Sequence, residues 1–303
     1  MVEIQIHELV TWGRNKIFIL REDLLPIACG GNKSRIGLKL IEDAKRRGAT
    51  AIIAYGNARS NLCRVLAMLC ARNSMRCCIV APVDDSVVET TNSRIVKACG
   101  ASVIECEKGP GIAAVIEDLE NRLNQDGESP YYIFGNKFGR GNEAVLLSAY
   151  QDVACSIVGW EHEHSVAFDR ICLATGTGST YAGLFTGFHA CGRKCKLTGF
   201  TIAHEAAECR RRIGCFPGVN AEDIEISGMA LCGGYGKTCS ELELFVRQQM
   251  TEVNILFDKT YAGKALWGLK QYIDKNAFHD EKILFVHTGS LPLAIDGLRS
   301  ETV

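Results

Sequence analysis

Short apolar runs alternate along this chain with longer amphipathic stretches, and this alternation restricts the fold more than any other feature. Residues 17–20, 51–54, 77–81, 102–105, 131–134, 171–174, 197–201 and 283–286 read as strands, and residues 34–47, 61–72, 87–98 and 112–123 read as helices. Strands that alternate with helices of this length form βαβ units, whose strands run parallel under helices on both faces. The sequence therefore predicts an α/β fold, and its sites are expected in the loops that follow the strands.

Composition sets limits on the function of the chain. With 303 residues and 47% hydrophobic residues, the chain can form one large domain or two ordinary ones. The 34 Lys and Arg residues against 35 Asp and Glu residues leave a net charge of −1, which argues against a nucleic-acid-binding protein. No apolar run approaches the roughly 18 residues that span a bilayer. The first 25 residues carry several charges and no signal-peptide core, so the cytoplasm is the expected location.

The 15 cysteines are scattered, and none of them stands in a C-x-x-C pair. In a cytoplasmic chain they are expected to be reduced thiols that pack as small hydrophobic side chains. No zinc or iron–sulfur site is predicted, because paired thiolate spacing is missing. His162 and His164 are interpreted as a solvated pair on a connecting segment.

One glycine-rich loop has the composition of a phosphate-binding turn. It runs through Thr175, Gly176, Thr177, Gly178, Ser179 and Thr180, between a predicted strand and a predicted helix. Glycines let successive backbone N–H groups point at one anion, and a helix N-terminus adds partial positive charge. The loop lacks the ending of a nucleotide-binding P-loop, so a small phosphate group fits it better. A tight turn with an N-cap is the alternative reading.

Lys33 differs from the other lysines because it follows Gly30-Gly31-Asn32 and opens a predicted helix, with Asn32 as the expected N-cap. The helix dipole disfavours a cation there by about 0.3–1 kcal/mol, which lowers the pKa of the amine and favours the nucleophilic form. An exposed lysine in the first helical turn is the alternative.

A nucleophilic amine and a small-phosphate loop on an α/β scaffold suggest pyridoxal 5′-phosphate (PLP) as the cofactor. Several motifs then match one family in order along nearly the whole chain. They are Arg21-Glu22-Asp23-Leu24, Gly30-Gly31-Asn32-Lys33-Ser34-Arg35, Gly56-Asn57-Ala58-Arg59-Ser60-Asn61, Thr175 to Leu184, Gly234-Tyr235-Gly236, Asp258 to Ala265, and His287-Thr288-Gly289. The chain resembles the D-cysteine desulfhydrase and 1-aminocyclopropane-1-carboxylate deaminase family, which belongs to the fold-type-II PLP enzymes. The resemblance implies two open, twisted, mostly parallel sheets flanked by helices.

The resemblance also implies a role for each matching residue. Lys33 corresponds to the lysine that carries the cofactor, and Ser60 and Asn61 to the loop that meets the substrate carboxylate and the ring hydroxyl. Thr175 to Thr180 correspond to the phosphate cup, Tyr261 to a tyrosine against the pyridine ring, and Thr288 to the residue beside the ring nitrogen. Lys33, Ser60 and Tyr261 are the predicted catalytic residues. Ser60 can instead be a helix cap, Tyr261 core packing and Thr288 a strand-end turn. Lys264 is interpreted as a helix-surface cation without a catalytic role.

The chain departs from the family pattern mainly around the substrate. Arg59 and Leu62 stand where the family has glutamine and histidine, and Arg59 is a candidate for binding a second acidic group. Ser290 replaces a glycine, Lys259 replaces a proline, and residues 134–137 replace a loop rich in glycine and serine.

The resemblance implies a lyase that eliminates a β-substituent from a small amino acid and releases a keto acid and ammonia. Two alternatives stay open: a β-replacement enzyme that makes a new amino acid, and a catalytically silent protein that binds PLP. The predicted large domain comprises residues 1–37 and 146–303, and the small mobile domain comprises residues 38–145. Closure between the domains is expected to exclude water, and family members commonly pair as homodimers.

Overall fold

The computed structural model describes residues 3–57, 59–83 and 89–299. Within them the chain forms ten strands and ten α-helices. The strands are β1 (Ile6–Trp12), β2 (Asn15–Arg21), β3 (Ala51–Tyr55), β4 (Arg76–Pro82), β5 (Ser102–Cys106), β6 (Pro130–Tyr132), β7 (Arg170–Thr175), β8 (Lys196–Thr201), β9 (Glu225–Ser227) and β10 (Lys282–His287). The helices are α1 (Asn32–Arg46), α2 (Asn61–Arg72), α3 (Thr91–Ala98), α4 (Ile112–Gln125), α5 (Glu143–Glu163), α6 (Ser179–Ala190), α7 (Ala206–Ile213), α8 (Ser240–Val253), α9 (Ala262–Asn276) and α10 (Leu291–Arg299).

Two compact units divide the chain, one comprising Met1–Asn32 with Leu147–Val303 and the other Lys33–Leu146. The smaller unit begins earlier than residue 38, the boundary expected from the sequence. Gly37 of α1 explains this start, because a Cβ there would lie 2.6 Å from Val65 of α2. The helix therefore packs closely inside the smaller unit. Mobility of that unit stays a prediction.

The larger unit contains a six-stranded sheet in the order β1-β2-β10-β7-β8-β9. Only the pairing of β1 with β2 is antiparallel. All six residues of β7 are buried, which is typical of a parallel strand covered on both faces. Because β7 and β10 are neighbours, the loops that follow them open at the same edge of the sheet.

The smaller unit contains a four-stranded parallel sheet in the order β5-β4-β3-β6. Four of the five residues of its central strand β3 are buried. Helix α2 follows β3 directly after the loop that contains Ser60, so this loop lies at the carboxyl end of a central strand.

The α/β fold with two mostly parallel sheets confirms the predicted fold class. Two strands, β1 and β9, were not predicted. Helix α3 begins at Thr91 rather than at residue 87, because Thr90 and Ser93 form a capping box that starts the helix there. Residues 87 and 88 of that predicted helix lie outside the described residues.

The prediction that all cysteines are reduced is wrong for Cys155 and Cys191, which form a disulfide with Cα atoms 6.3 Å apart. Tight packing of α5 against α6 brings them together, since a Cβ at Gly187 would lie 2.6 Å from the Cβ of Ala154. Among the described residues, the other thirteen cysteines form no disulfide. His162 lies in the last turn of α5 and not on a connecting segment.

The described residues contain no group of three or more His, Cys, Asp and Glu side chains that could hold a metal ion. They also contain no helix that is long and apolar enough to cross a membrane.

Candidate active site

Helix α1 starts at Asn32, and this residue is anchored twice within the larger unit. Its backbone N–H donates to the carbonyl of Thr288 at 3.0 Å, and its side-chain amide donates to Oγ1 of Thr180 at 2.9 Å. The expectation that Asn32 is the N-cap is therefore wrong: Asn32 is the first helical residue, and its side chain contacts the first turn of α6. Asn32 thus joins the turn after β10 to the first turn of α6 at the position directly before Lys33.

The turn after β10 is held by a buried histidine. Nδ1 of His287 accepts from the N–H of Gly289 at 3.0 Å, so Nε2 carries the proton and donates to the carbonyl of Leu256 at 3.1 Å. Burial lowers the pKa of His287 and so disfavours the charged ring. This arrangement fixes the backbone on both sides of Thr288, which is itself buried.

Helix α6 has an uncapped N-terminus. Gly178 stands at the cap with φ of +90° and makes no side-chain cap bond. Among the described residues, no acceptor takes the backbone N–H groups of residues 176–181. Ser179 and Thr180 place hydroxyl groups in the same turn. These donors and the partial positive charge of the helix end fit the phosphate of PLP.

One of the predicted phosphate-loop residues, Thr175, lies outside the uncapped N-terminus of α6. Thr175 is the last residue of β7, and a Cβ on Gly199 of β8 would lie 2.6 Å from its hydroxyl oxygen. That hydroxyl is buried and makes no hydrogen bond among the described residues. It therefore points toward the neighbouring strand. Its role as a cofactor contact stays a prediction.

The amine of Lys33 is buried, although the residue as a whole retains partial solvent exposure. Burial disfavours the charged form and lowers the pKa of Lys33 from 10.5 to about 8. Within the described part of the chain this amine makes no ion pair or hydrogen bond. Lys33 thus has the properties of a nucleophilic amine rather than of a solvated surface lysine.

The loop between β3 and α2 is ordered by its own side chains. Oδ1 of Asn57 accepts from the N–H of Arg59 at 3.0 Å. Ser60 is the N-cap of α2, and its hydroxyl accepts from the N–H of Cys63 at 3.2 Å. The alternative role of Ser60 as a cap is thus present in the structure, and it is compatible with substrate binding. Ala58 lies outside the described residues.

A buried asparagine that the sequence did not reveal supports this loop. The side-chain amide of Asn92 donates to the carbonyl of Arg59 and to Oδ1 of Asn61, each at 3.0 Å. Asn92 is fully buried, so these bonds are shielded from competition with water. The Arg59 guanidinium has no ion-pair partner among the described residues, and its role stays a prediction.

Tyr261 stands at the start of α9, and its hydroxyl is 2.7 Å from the hydroxyl of Tyr235. The carboxylate of Asp258 accepts from the N–H groups of Thr260, Tyr261 and Ala262 at 2.8, 2.6 and 3.0 Å. Asp258 is buried, and burial raises its pKa to about 6. The first turn of α9 is therefore held by a buried carboxylate, which fixes the backbone of Tyr261.

The interpretation of Lys264 as a surface cation is wrong, because its relative exposure is 0%. Its amine donates to the carbonyl oxygens of Gly234 at 2.6 Å and Lys237 at 3.0 Å. Sequence reasoning missed this because the carbonyl partners lie about thirty residues away along the chain. The only local signal was the position of Lys264 one turn after Tyr261.

Comparison with known proteins identifies the class to which this fold and these residues belong. The family model of pyridoxal-phosphate dependent enzymes matches residues 4–289. The chain belongs to this family, and PLP is its cofactor. The predicted family resemblance and the predicted cofactor are confirmed.

Individual relatives agree with this assignment. The chain is 30% identical to a D-cysteine desulfhydrase of Klebsiella pneumoniae subsp. pneumoniae over 91% of this chain and 87% of the relative. It is 28% identical to a D-cysteine desulfhydrase of Serratia proteamaculans over the same shares of the two chains. The crystal structure of an ACC deaminase homologue superposes with a TM-score of 0.80 at 24% identity, covering 98% of this chain and 93% of that one. The fold is therefore that of the fold-type-II enzymes.

The lowered pKa of Lys33 predicts how cofactor uptake depends on pH. Below its pKa of about 8, the unprotonated fraction of the amine rises about tenfold per pH unit, and above it the fraction levels off. We expect the rate of covalent PLP attachment to the cofactor-free protein, followed by absorbance, to show the same curve. Lys33→Ala protein measures the background from surface lysines. A rate that still climbs steeply at about pH 10, as for an ordinary lysine, would contradict the assignment.

Proposed function

We propose that this protein is a lyase that removes the β-substituent of a small amino acid and releases a keto acid and ammonia. D-cysteine is the first candidate substrate. The observation that carries the proposal is the 30% identity with a D-cysteine desulfhydrase over 91% of this chain. The buried amine of Lys33, with its pKa lowered to about 8, supports it.

In this proposal Lys33 has two roles. When bound, PLP supplies an aldehyde carbon and an electron-withdrawing ring. The Lys33 amine would hold the cofactor, and the same amine, when free, would accept the proton from the substrate Cα. A pKa of about 8 suits a general base near neutral pH, because a useful fraction is unprotonated there.

The loop between β3 and α2 is proposed to bind the substrate carboxylate. Its residues Ser60 and Asn61 open α2, where the partial positive charge of the helix end favours an anion. Asn61 is additionally assigned to the ring hydroxyl. Arg59 is assigned to a second acidic group where the substrate has one.

The remaining contacts are proposed to come from the larger unit. The N-terminus of α6 binds the phosphate, Tyr261 lies against the ring, and Thr288 is beside the ring nitrogen. A hydroxyl at that nitrogen, in place of a carboxylate, leaves it poorly protonated. The weaker electron withdrawal suits β-elimination or β-replacement more than transamination.

Product analysis with purified holoenzyme tests the proposal. D-cysteine, L-cysteine, O-acetylserine and D-serine are supplied in turn, and keto acid and ammonia are measured. Equal amounts of both products from at least one of them support a lyase. Little release of either product, with a new amino acid formed once a thiol or amine acceptor is added, indicates β-replacement. Absence of both reactions with the cofactor bound indicates a silent PLP protein.

A pair of matched variants separates the capping role of Ser60 from its proposed role with the substrate. Ser60 and Thr90 are both N-caps in the smaller unit, so Ser60→Ala and Thr90→Ala should each lower the free energy of unfolding by about 1 kcal/mol. Only Ser60→Ala is expected to reduce kcat/KM, by roughly tenfold or more. Denaturant titration and steady-state kinetics measure the two effects. Equal loss of activity in both variants would remove Ser60 from the substrate site.

A homodimer and a cytoplasmic location complete the proposal. The homodimer rests on the family resemblance. Sedimentation analysis and cell fractionation test them.

A further inference from the structure

Tyr235 lies in a glycine-rich segment, residues 233–237, which we call the tyrosine loop. Few hydrogen bonds within this segment restrict its backbone. Gly233, Gly234 and Gly236 all have positive φ, at +76°, +112° and +69°. Two backbone hydrogen bonds stabilise its turns, from Gly234 N–H to the Leu231 carbonyl at 2.8 Å and from Lys237 N–H to the Gly234 carbonyl at 3.2 Å. Glycines on both sides of Tyr235 leave its backbone many accessible conformations.

Two side chains at the start of helix α9 form hydrogen bonds with the tyrosine loop. The hydroxyl of Tyr261, at the start of the helix, bonds the hydroxyl of Tyr235 at 2.7 Å. One turn further on, the amine of Lys264 donates to the carbonyl oxygens of Gly234 and Lys237 at 2.6 and 3.0 Å. Tyr261 and Lys264 are three residues apart, so they lie on the same side of the helix.

The Lys264 contacts act on the peptide groups next to Tyr235. The Gly234 carbonyl belongs to the peptide group that also contains the N–H of Tyr235, so a bond to this oxygen fixes the plane of the backbone that enters the tyrosine. The bond to Lys237 fixes the other end of the loop. Hydrogen bonds from a charged donor are about twice as strong as neutral ones, and full burial of Lys264 protects them from water.

We propose that Lys264 is a positioning residue that fixes the tyrosine loop so that the Tyr235 hydroxyl meets the hydroxyl of Tyr261. It acts on the reaction through this pair. The effect on turnover rests on the proposed function, whereas the effect on loop order does not.

The test replaces Lys264 by methionine, which keeps an unbranched apolar stem and removes the donor. Lys275→Met is the matched control, because Lys275 is an exposed lysine on the same helix. Hydrogen exchange is measured in the holoenzyme on the amides of Gly234 and Lys237. We expect exchange at these amides to accelerate about tenfold or more in Lys264→Met and to stay unchanged in Lys275→Met, because their protection depends on local opening of the loop. Unchanged exchange in Lys264→Met would overturn the proposal.

A double-mutant cycle with Tyr235→Phe tests whether Lys264 acts through the tyrosine pair. We expect Lys264→Met to lower kcat about tenfold in the wild-type background and less than about twofold in the Tyr235→Phe background, since residues that act as one unit are not additive. Equal effects in both backgrounds would show a merely structural role. If Lys264→Met does not fold, Lys264→Leu, which also removes the donor, is used with the same criteria. Absence of wild-type turnover with every amino acid overturns the proposed function, and hydrogen exchange still decides the role of Lys264 in the loop.

Discussion

Replacing Lys33 with alanine is expected to abolish covalent attachment of PLP and to lower turnover by roughly 10²–10⁴-fold. The amine is buried and has a pKa of about 8, so it is available both for the cofactor and for proton transfer at neutral pH. Alanine supplies neither function. The helix itself should persist, because Asn32 anchors its start independently of the lysine side chain.

Borohydride reduction followed by peptide mapping measures the attachment. In the wild-type protein the pyridoxyl group should appear on the peptide that contains Lys33, and in Lys33→Ala it should be absent from that peptide. Lys45→Ala is the control, because Lys45 lies on the same helix and its amine contacts Asn73 at the surface. A pyridoxyl group on another lysine of the wild-type protein would refute the assignment.

Replacing Gly289 with alanine is expected to lower the free energy of unfolding by about 3 kcal/mol and to weaken PLP binding. Its φ is +90°, and a Cβ there would lie 2.2 Å from the Cα of Gly31. Neither segment can move away easily, because the backbone around Gly289 and the backbone around Gly31 are both fixed by hydrogen bonds. Two hydrogen bonds lie on either side of this contact. One runs from the Asn32 N–H to the Thr288 carbonyl, and the other from the Gly289 N–H to Nδ1 of His287.

Gly192→Ala separates the clash from the cost of the backbone conformation. Gly192 also has positive φ, at +67°, but no atom lies within 4 Å of a Cβ built there. We expect this control to lose only about 1 kcal/mol. Denaturant unfolding and PLP titration are measured for both variants. Equal destabilisation would show that the close approach of Gly289 to Gly31 does not govern the stability of this turn.

Much of the fold follows from local patterns. The predicted helix 61–72 has the bounds of α2, because Ser60 is a strong N-cap residue and starts the helix where the sequence indicates. Strands β1 and β9 were missed. β1 has no buried residue, and β9 is only three residues long, so neither shows the apolar run that identifies a buried strand. β1 pairs with β2, which follows it across a short turn, whereas β9 pairs with β8 on the other side of helix α7.

The candidate site likewise contains some residues that local motifs reveal and others that they do not. Lys33 and the glycine-rich loop before α6 were predictable, because the chemistry of a PLP enzyme requires an amine and a phosphate cradle and both occupy short motifs. Asn92 and His287 gave no such signal as supporting residues. Their importance lies in contacts with backbone groups of the loops that they hold, and these contacts do not follow from local spacing.

Local information was enough for the α/β class, the family and the lysine proposed to carry the cofactor, since periodicity and short motifs depend on neighbours along the chain. Three features became visible only in the folded chain: Lys264 is buried, Asn32 links the turn after β10 to the start of α6 instead of capping its own helix, and Cys155 meets Cys191. Each of these depends on a partner that lies far away in the sequence and becomes a neighbour through packing.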